Sequence, residues 1–380
     1  MEYIDDQFLF PLVTEPRSRW EKAGLSPRQE RSFNRVSTLL VAMFVTGWLY
    51  SIFLAPPEDL EAGRPPVARI SSELMRSPLA KDAPTPAAFL TEGMVRAFAS
   101  DFEREAGMTS GAVRVKVLKP GEQLDASGVP AGASVELTPS GGGAAVAAGQ
   151  PQGPGVWNVV LKMADAIRPA SGVSVITLVP LSAKKSGSIG GYRIGSWPFE
   201  AGGAPKPSYE PPAGLVKVTP QNMNLYVSEH IQLKDFMTKG QEGVWPKYVA
   251  MQPQELDKVE LTLQELERSG HPVKNIFVVS GFRTPSYNEG GGNTAGRAAL
   301  SRHMYGDAMD IAVDNDGNGR MDDLNGDGRV TVADARVIGD AADRVEKAHP
   351  ELVGGIGIYS PTGAHSGFVH IDTRGYRARW

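Results

Sequence analysis

Cysteine is absent from the 380 residues, which excludes disulfides, thiolate metal sites and a lipoprotein-type anchor, while leaving the redox compartment open. An excess of positive charge is missing too. Lysine and arginine number 39 against 43 aspartates and glutamates, a net charge of −4, and without a basic stripe nucleic acid is not an expected partner. Long apolar runs are almost absent. The exception is TLLVAMFVTGWLYSIFLA, Thr38–Ala55, eighteen residues without a charge and just long enough to span a bilayer as a helix. What the chain has in abundance is glycine (43) and proline (29), mostly outside the apolar runs, which suggests linkers and loop-rich β structure rather than helical bundles.

The apolar run organises the amino-terminal third. Apolar residues occupy every face of it, so an amphipathic core helix fits poorly, and Trp48 and Tyr50 suit a membrane interface. Six Lys or Arg precede it within residues 1–37, whereas Arg64 and Arg69 alone follow closely. The positive-inside rule then keeps residues 1–37 cytoplasmic and exports everything after Ala55. Ala55-Pro56-Pro57 is a poor cleavage site, so the segment reads as a retained single-pass anchor in a bacterial inner membrane.

Beyond the anchor, residues 56–86 read as a Pro-, Glu- and Ala-rich linker. Residues 87–201 read as a β-rich accessory domain. A short amphipathic helix with Met94, Val95, Phe98 and Phe102 opens it, and alternating or β-branched runs at Val113–Val117, Val135–Leu137, Val156–Leu161 and Val173–Val179 follow. Such punctuated short strands suggest a β-sandwich, with no chemistry of its own and with room for an envelope partner. GGAPKPSYEPPAG, residues 202–214, reads as a linker. Residues 215–380 form the last domain. Within it Pro253–Ser269 carries Leu256, Val259, Leu263 and Leu266 on one helical face, with Gly270 as C-cap. Ile276–Val279 is a buried strand.

The chemistry gathers in that last domain. SRHMYGDAMD, Ser301–Asp310, sets His303 and Asp310 seven residues apart across Gly306. FVHID, Phe368–Asp372, sets His370 and Asp372 on one face of a short strand. Two imidazoles and a carboxylate suit a catalytic zinc whose fourth position is left open for water. Asp310 lies in the apolar stretch Ala308–Val313, where a carboxylate is costly unless it is paired or bound to a metal.

The pattern S-x-H-x-x-G-x-A-x-D (Ser301, His303, Gly306, Ala308, Asp310), with a late histidine motif, resembles the zinc D-Ala-D-Ala carboxypeptidases, VanX-type dipeptidases and related murein endopeptidases. The non-enzymatic Hedgehog signalling domain shares their fold. SGFRTPSYN, Ser280–Asn288, is similar to the segment that precedes the motif in those enzymes. The resemblance covers roughly residues 226–380. It implies His303 and Asp310 as zinc ligands, Arg283 as the group that meets a substrate carboxylate or carbonyl, and Ser301 as a ligand- or substrate-orienting hydroxyl. It also implies peptidoglycan stem peptides as substrate. Many members carry Glu-x-x-His, but Gly367 stands three before His370. Two assignments remain: His370 on zinc with Asp372 or His365 as base, or Asp372 on zinc with His370 catalytic. The first is favoured because imidazole is the commoner zinc ligand.

A second metal pattern interrupts the domain at residues 314–334. Asp323, Asn325, Asp327, Arg329 (through its carbonyl), Thr331 and Asp334 fit positions 1, 3, 5, 7, 9 and 12 of a calcium loop, with Gly328 at position 6. Asp314, Asp316 and Asn318 begin a second loop, which Asn325 at its twelfth position weakens. The expectation is an α+β protein. One transmembrane helix and a β-sandwich-like domain would precede a zinc peptidase domain made of a small antiparallel sheet with flanking helices. It would hydrolyse peptidoglycan peptides as a D,D- or L,D-carboxypeptidase or endopeptidase, with Zn2+ in the site and Ca2+ in the loop. The alternative is a non-catalytic zinc- and calcium-binding envelope protein that binds murein or a protein partner.

Overall fold

In the computed structural model the described residues are 114–380, apart from 125–131, 150–152, 164–165, 293, 295–296 and 363–364, together with Thr38. The expected cytoplasmic segment, membrane anchor, linker 56–86 and helix over 94–102 lie outside the described residues. Among the described residues no helix is long and apolar enough to cross a membrane.

Alternation of apolar and polar residues produces the first sheet. Its strands are β1 (Arg114–Leu118), β2 (Ser134–Pro139), β3 (Val146–Ala147), β4 (Gly155–Met163) and β5 (Ala166–Thr177), in the order β1-β5-β4-β2-β3. The β1–β5 pair is parallel and the others are antiparallel. In place of the expected two-sheet sandwich, strands β1 to β5 form a single mixed sheet. The reason lies in what covers its faces. Leu118, Val135, Leu137, Trp157 and Val175 form a small cluster with Leu124 and Ala148 from the sheet's own loops. Val115, Val156 and Ile176 instead join the core of the carboxy-terminal part. That core also takes in Val179, Leu215, Val216 and Val249 of a separate three-stranded sheet.

The described residues from 114 to 380 belong to one compact unit. A three-stranded sheet joins β6 (Val179–Pro180), β9 (Gly214–Val218) and β10 (Lys247–Val249), and the hairpin β7 (Ser188–Ile189)/β8 (Tyr192–Arg193) lies between β6 and β9 in sequence. The stretch before residue 201 is fastened to the carboxy-terminal part. The Trp197 indole N–H donates to the Met304 carbonyl at 2.7 Å, and the Ser286 N–H donates to the Ile194 carbonyl at 2.9 Å. Residues 202–214 contain a 3-10 turn, Pro207–Tyr209, whose Tyr209 ring packs edge-on against Tyr305 at 5.8 Å. Proline stiffens this stretch, and the tyrosine anchors it.

The site is carried by the sheet β11 (Ile276–Ser280), β12 (Ala308–Val313), β14 (Phe368–Asp372), β13 (Gly355–Tyr359) and β15 (Ala378–Arg379), written in spatial order. Helices α1 (Pro253–Arg268) and α3 (Val332–Ala348) pack on it, and α2 (Pro285–Gly290) follows β11. In α1, Leu256, Val259, Leu263 and Leu266 are buried, as their spacing predicts, and Gly270 takes φ 86° just after the helix. In α3, Thr331 and Asp334 form a capping box, and Ile338, Ala341 and Ala342 enter the core.

Candidate metal centre

Register brings the first two donors together. Asp310 of β12 lies directly opposite His370 of β14, and Ser280 of β11 lies opposite Asp310 on its other side. Directly opposed residues share a face of the sheet, so both side chains rise to the same place. His303 arrives from a 3-10 turn, Arg302–Tyr305, which ends at Gly306 with φ 73°. A Cβ at Gly306 would also come 2.4 Å from the Ala250 backbone, so only glycine closes this turn.

The three donors converge. His303 Nε2 is 3.2 Å from Asp310 Oδ1 and 3.2 Å from His370 Nδ1, and His370 Nδ1 is 2.9 Å from Asp310 Oδ1. All three residues are buried. The opposite ring atoms fix the tautomers. His303 Nδ1 faces the Gly281 carbonyl at 2.6 Å and must donate to it. His370 Nε2 faces the Asp372 carboxylate at 2.9 Å. Two nitrogen lone pairs and a carboxylate oxygen thus point at one another, an arrangement that needs a cation between them. Ligands about 2.0–2.1 Å from a tetrahedral zinc lie roughly 3.3 Å apart. The donor set and its spacing fit zinc.

Electrostatics agree with that reading. Burial holds the His303 imidazole below its usual range, partly offset by Asp310. Burial alone would raise the Asp310 carboxyl, but His303 and His370 beside it hold it well below the usual carboxylate range. Burial also opposes charge on His370, yet its hydrogen bonds to Asp310 and Asp372 outweigh it and push the group up to about 9. Without a metal, a proton on His370 is the cation that the cluster keeps.

The expected base at Asp372 is corrected by its position. Its carboxylate is fully buried at the Nε2 edge of His370, while the converging donors sit at Nδ1. It accepts the N–H groups of Gly355 (2.8 Å) and Arg374 (3.1 Å), and the Arg374 guanidinium grips both oxygens. Burial is outweighed by His370 and Arg374, which hold this carboxyl well below its usual range. The alternative in which Asp372 is the metal ligand falls for the same reason. A carboxylate behind a ligating imidazole fixes its tautomer and orientation. Gly354 and Gly355 make the position possible: a Cβ on Gly354 would come 1.8 Å from the Asp372 carbonyl oxygen, and one on Gly355 2.3 Å from Oδ2.

The other expected residues line a cleft of about 980 Å3 over the donors. Arg283 donates from Nη2 to Asp310 Oδ2 at 2.9 Å and from Nε to Ser280 Oγ at 2.9 Å, so it is fixed beside the metal ligand. Ser301 lines the same cleft and is buried. His365 also lines it, with Nδ1 2.7 Å from the Ser366 carbonyl. That contact puts the proton on Nδ1 and leaves Nε2 as an acceptor.

Several residues here were not legible in the sequence. Arg374 lies only two residues beyond Asp372, a spacing that could have suggested it. Lys258 gave no such signal: it donates to the Asp372 carbonyl at 2.6 Å and to Glu346 at 2.6 Å, joining α1, α3 and β14 in a buried network. Trp380 leans over His370 at 5.2 Å and donates to the Tyr359 hydroxyl at 2.8 Å.

Residues 229–325 match the family model described as Peptidase M15. That stretch of the carboxy-terminal domain is similar to the M15 peptidases. No curated protein and no solved structure matches the chain. The matched stretch of the M15 domain holds His303 and Asp310 but stops before His370, so the third donor rests on the geometry above. M15 peptidases are zinc-dependent enzymes acting on peptidoglycan.

The acidic loop is built differently. Asp314, Asp316 and Asp322 bring carboxylate oxygens within 4.8 Å of one another, so the more weakly matching loop is the one that gathers, helped by an unforeseen Asp322. In the better template, Asp323 accepts the N–H groups of Gly326, Asp327 and Gly328. Asn325 Oδ1 accepts from Asp327, and Asp327 Oδ1 from Arg329. Thr331 and Asp334 cap α3, and Asp334 also accepts from Leu324 and Asn325. Nothing in the comparisons supports calcium here.

Proposed function

We propose that the M15 domain hydrolyses a peptide bond in peptidoglycan stem peptides, with His303, Asp310 and His370 holding the zinc. The observation that carries this reading is the convergence of three buried donors whose tautomers leave their lone pairs facing one another. When bound, zinc supplies Lewis acidity and an acidified water. The chain supplies the rest. Asp372, gripped by Arg374, keeps the His370 proton on Nε2 and its Nδ1 free. Arg283, fixed on Asp310 and lining the cleft, is placed to meet a carbonyl or carboxylate of the peptide. With glycine at position 367, His365 is the base: its Nε2 accepts a proton while Nδ1–H stays on the Ser366 carbonyl.

Gly367 also favours a second reading, in which the domain keeps its metal and binds murein without cutting it. Mass spectrometry of muropeptides incubated with the zinc-loaded protein separates the two, and the masses released identify carboxypeptidase or endopeptidase action. Absence of any product at stoichiometric enzyme would contradict the peptidase reading.

Membrane anchoring through residues 38–55, with the M15 domain exported, is part of the same proposal. It is supported by the uncharged run and the six cations before it. Protease added to spheroplasts should remove the domain, and complete protection would contradict this topology. Calcium binding in residues 314–334 is a separate proposal, supported by the sequence template and the gathering of Asp314, Asp316 and Asp322.

A further inference from the structure

The charged lining of the cleft is lopsided. Its cations are Lys234, Lys239, Arg283, Arg297, Arg302 and Arg374, whereas its carboxylates are Asp235 and Asp310. This does not follow from bulk composition, because the chain as a whole carries −4. Half of those cations are committed: Arg283 to Asp310, Arg302 to Asp307 and Arg374 to Asp372. Asp235 is turned back to accept the Gln232 N–H at 2.7 Å. Lys234, Lys239 and Arg297 form no ion pair among the described residues.

These three are presented from one side of the cleft, by backbone pinned to the segment that carries Arg283. Lys234 belongs to the 3-10 turn Leu233–Phe236, which lies so close to Gly281 that a Cβ there would meet the Asp235 carbonyl oxygen at 2.4 Å. Next to Lys239, the Thr238 hydroxyl donates to the Phe282 carbonyl at 3.1 Å and accepts the Thr284 N–H at 2.9 Å. Arg297 lies over the Tyr287 ring at 4.6 Å and donates from Nη1 to the Tyr287 carbonyl at 2.6 Å. Cations held by fixed backbone at the edge of a low-dielectric cleft concentrate field on an incoming anion. Lys234 and Lys239 are exposed and Arg297 is half-buried, so all three are within reach of a ligand entering the cleft.

We propose that Lys234, Lys239 and Arg297 form an anionic subsite that engages a free carboxylate of the peptide remote from the scissile bond. This inference rests on the peptidase reading for the identity of the ligand. Peptides with a free acidic group at that remote position are then preferred over the same peptides amidated there. The preference weakens as salt rises, since exposed pairs are screened over about 8–10 Å at ordinary ionic strength.

Calorimetry of the zinc-loaded full chain with a synthetic stem peptide, in free-acid and amidated forms, tests this. The wild type should bind the free acid on the order of ten-fold more tightly, the scale of two or three partly exposed ion pairs. The ratio should fall toward unity in the Lys234→Ala/Lys239→Ala double variant and in Arg297→Ala, and should persist in Lys234→Arg/Lys239→Arg. Equal binding of the two peptides by the wild type would overturn the subsite, as would an unchanged ratio in the double variant. Turnover is followed separately. A protein that discriminates in binding but cuts neither peptide keeps the subsite and loses the peptidase reading.

Discussion

Two regions of the M15 domain look alike in sequence as metal sites and differ in how their donors are held. At the His303–Asp310–His370 cluster, the groups around each donor fix its far side and leave a lone pair pointing inward. In the loop 323–334, the carboxylates and the threonine are engaged by backbone N–H groups of their own turn and of the α3 cap. A metal site is thus distinguished by what its donors do in addition to facing one another. Outer groups that occupy the other valences create a cation site, whereas N–H groups that occupy the donor oxygens make a self-sufficient turn.

Removing a donor should break that contrast most severely. His303→Ala removes one of the three inward lone pairs, and hydrolysis should fall by about three orders of magnitude or more as bound zinc is lost. His365→Ala should come next: zinc content is retained, while kcat falls by roughly 10²–10⁴ if its Nε2 takes the proton. Loss of zinc in that variant would place His365 in the ligand set instead. Asp372→Asn keeps size, but it removes the charge behind His370 and replaces one accepting oxygen with an NH2 that faces donors. Zinc affinity should fall about 10–100-fold, with turnover restored by excess zinc. A base at Asp372 would instead give full zinc occupancy and no turnover.

Much of the cluster was legible because its signals are local. His303 and Asp310 share one motif, and the alternation of FVHID already placed His370 and Asp372 on one face. Which edge of the His370 ring meets Asp372 was not local. It depends on Gly354 and Gly355 packing against Asp372, on Arg374, and on Lys258 reaching the same residue from α1. The fold shows the same division. The boundaries of α1, β11, β12 and β14 follow from periodicity and capping, whereas the single first sheet depends on a core shared with distant residues. Tyr209 is the part of residues 202–214 that composition does not announce: its ring packs on Phe199 and Tyr305 while most of its neighbours stay exposed.

Acidity should sharpen the comparison with a smaller effect. In chelator-treated protein the folded His370 group lies at about 9, above its ordinary 6.5. A raised folded value means that its contribution to stability is full below about pH 6.5 and is lost as pH rises through about 9. The melting temperature of the metal-free protein should therefore fall across that range. Zinc should displace this proton, and calorimetry in buffers of different ionisation enthalpy would record its release. The acidic loop should respond least. If Asp314, Asp316 and Asp322 take calcium, melting rises with calcium by mass action, and Asp316→Asn reduces the rise; a flat response would make the loop a self-capped turn.

The most direct test is elemental zinc content of the purified protein and its variants after equilibration with limiting zinc. The three-donor site predicts a single zinc per chain in the wild type and almost none in His303→Ala. It also predicts a partial loss in Asp372→Asn that excess zinc reverses. Full zinc in His303→Ala, or a loss in Asp372→Asn as complete and as irreversible as that of a donor, would contradict the assignment.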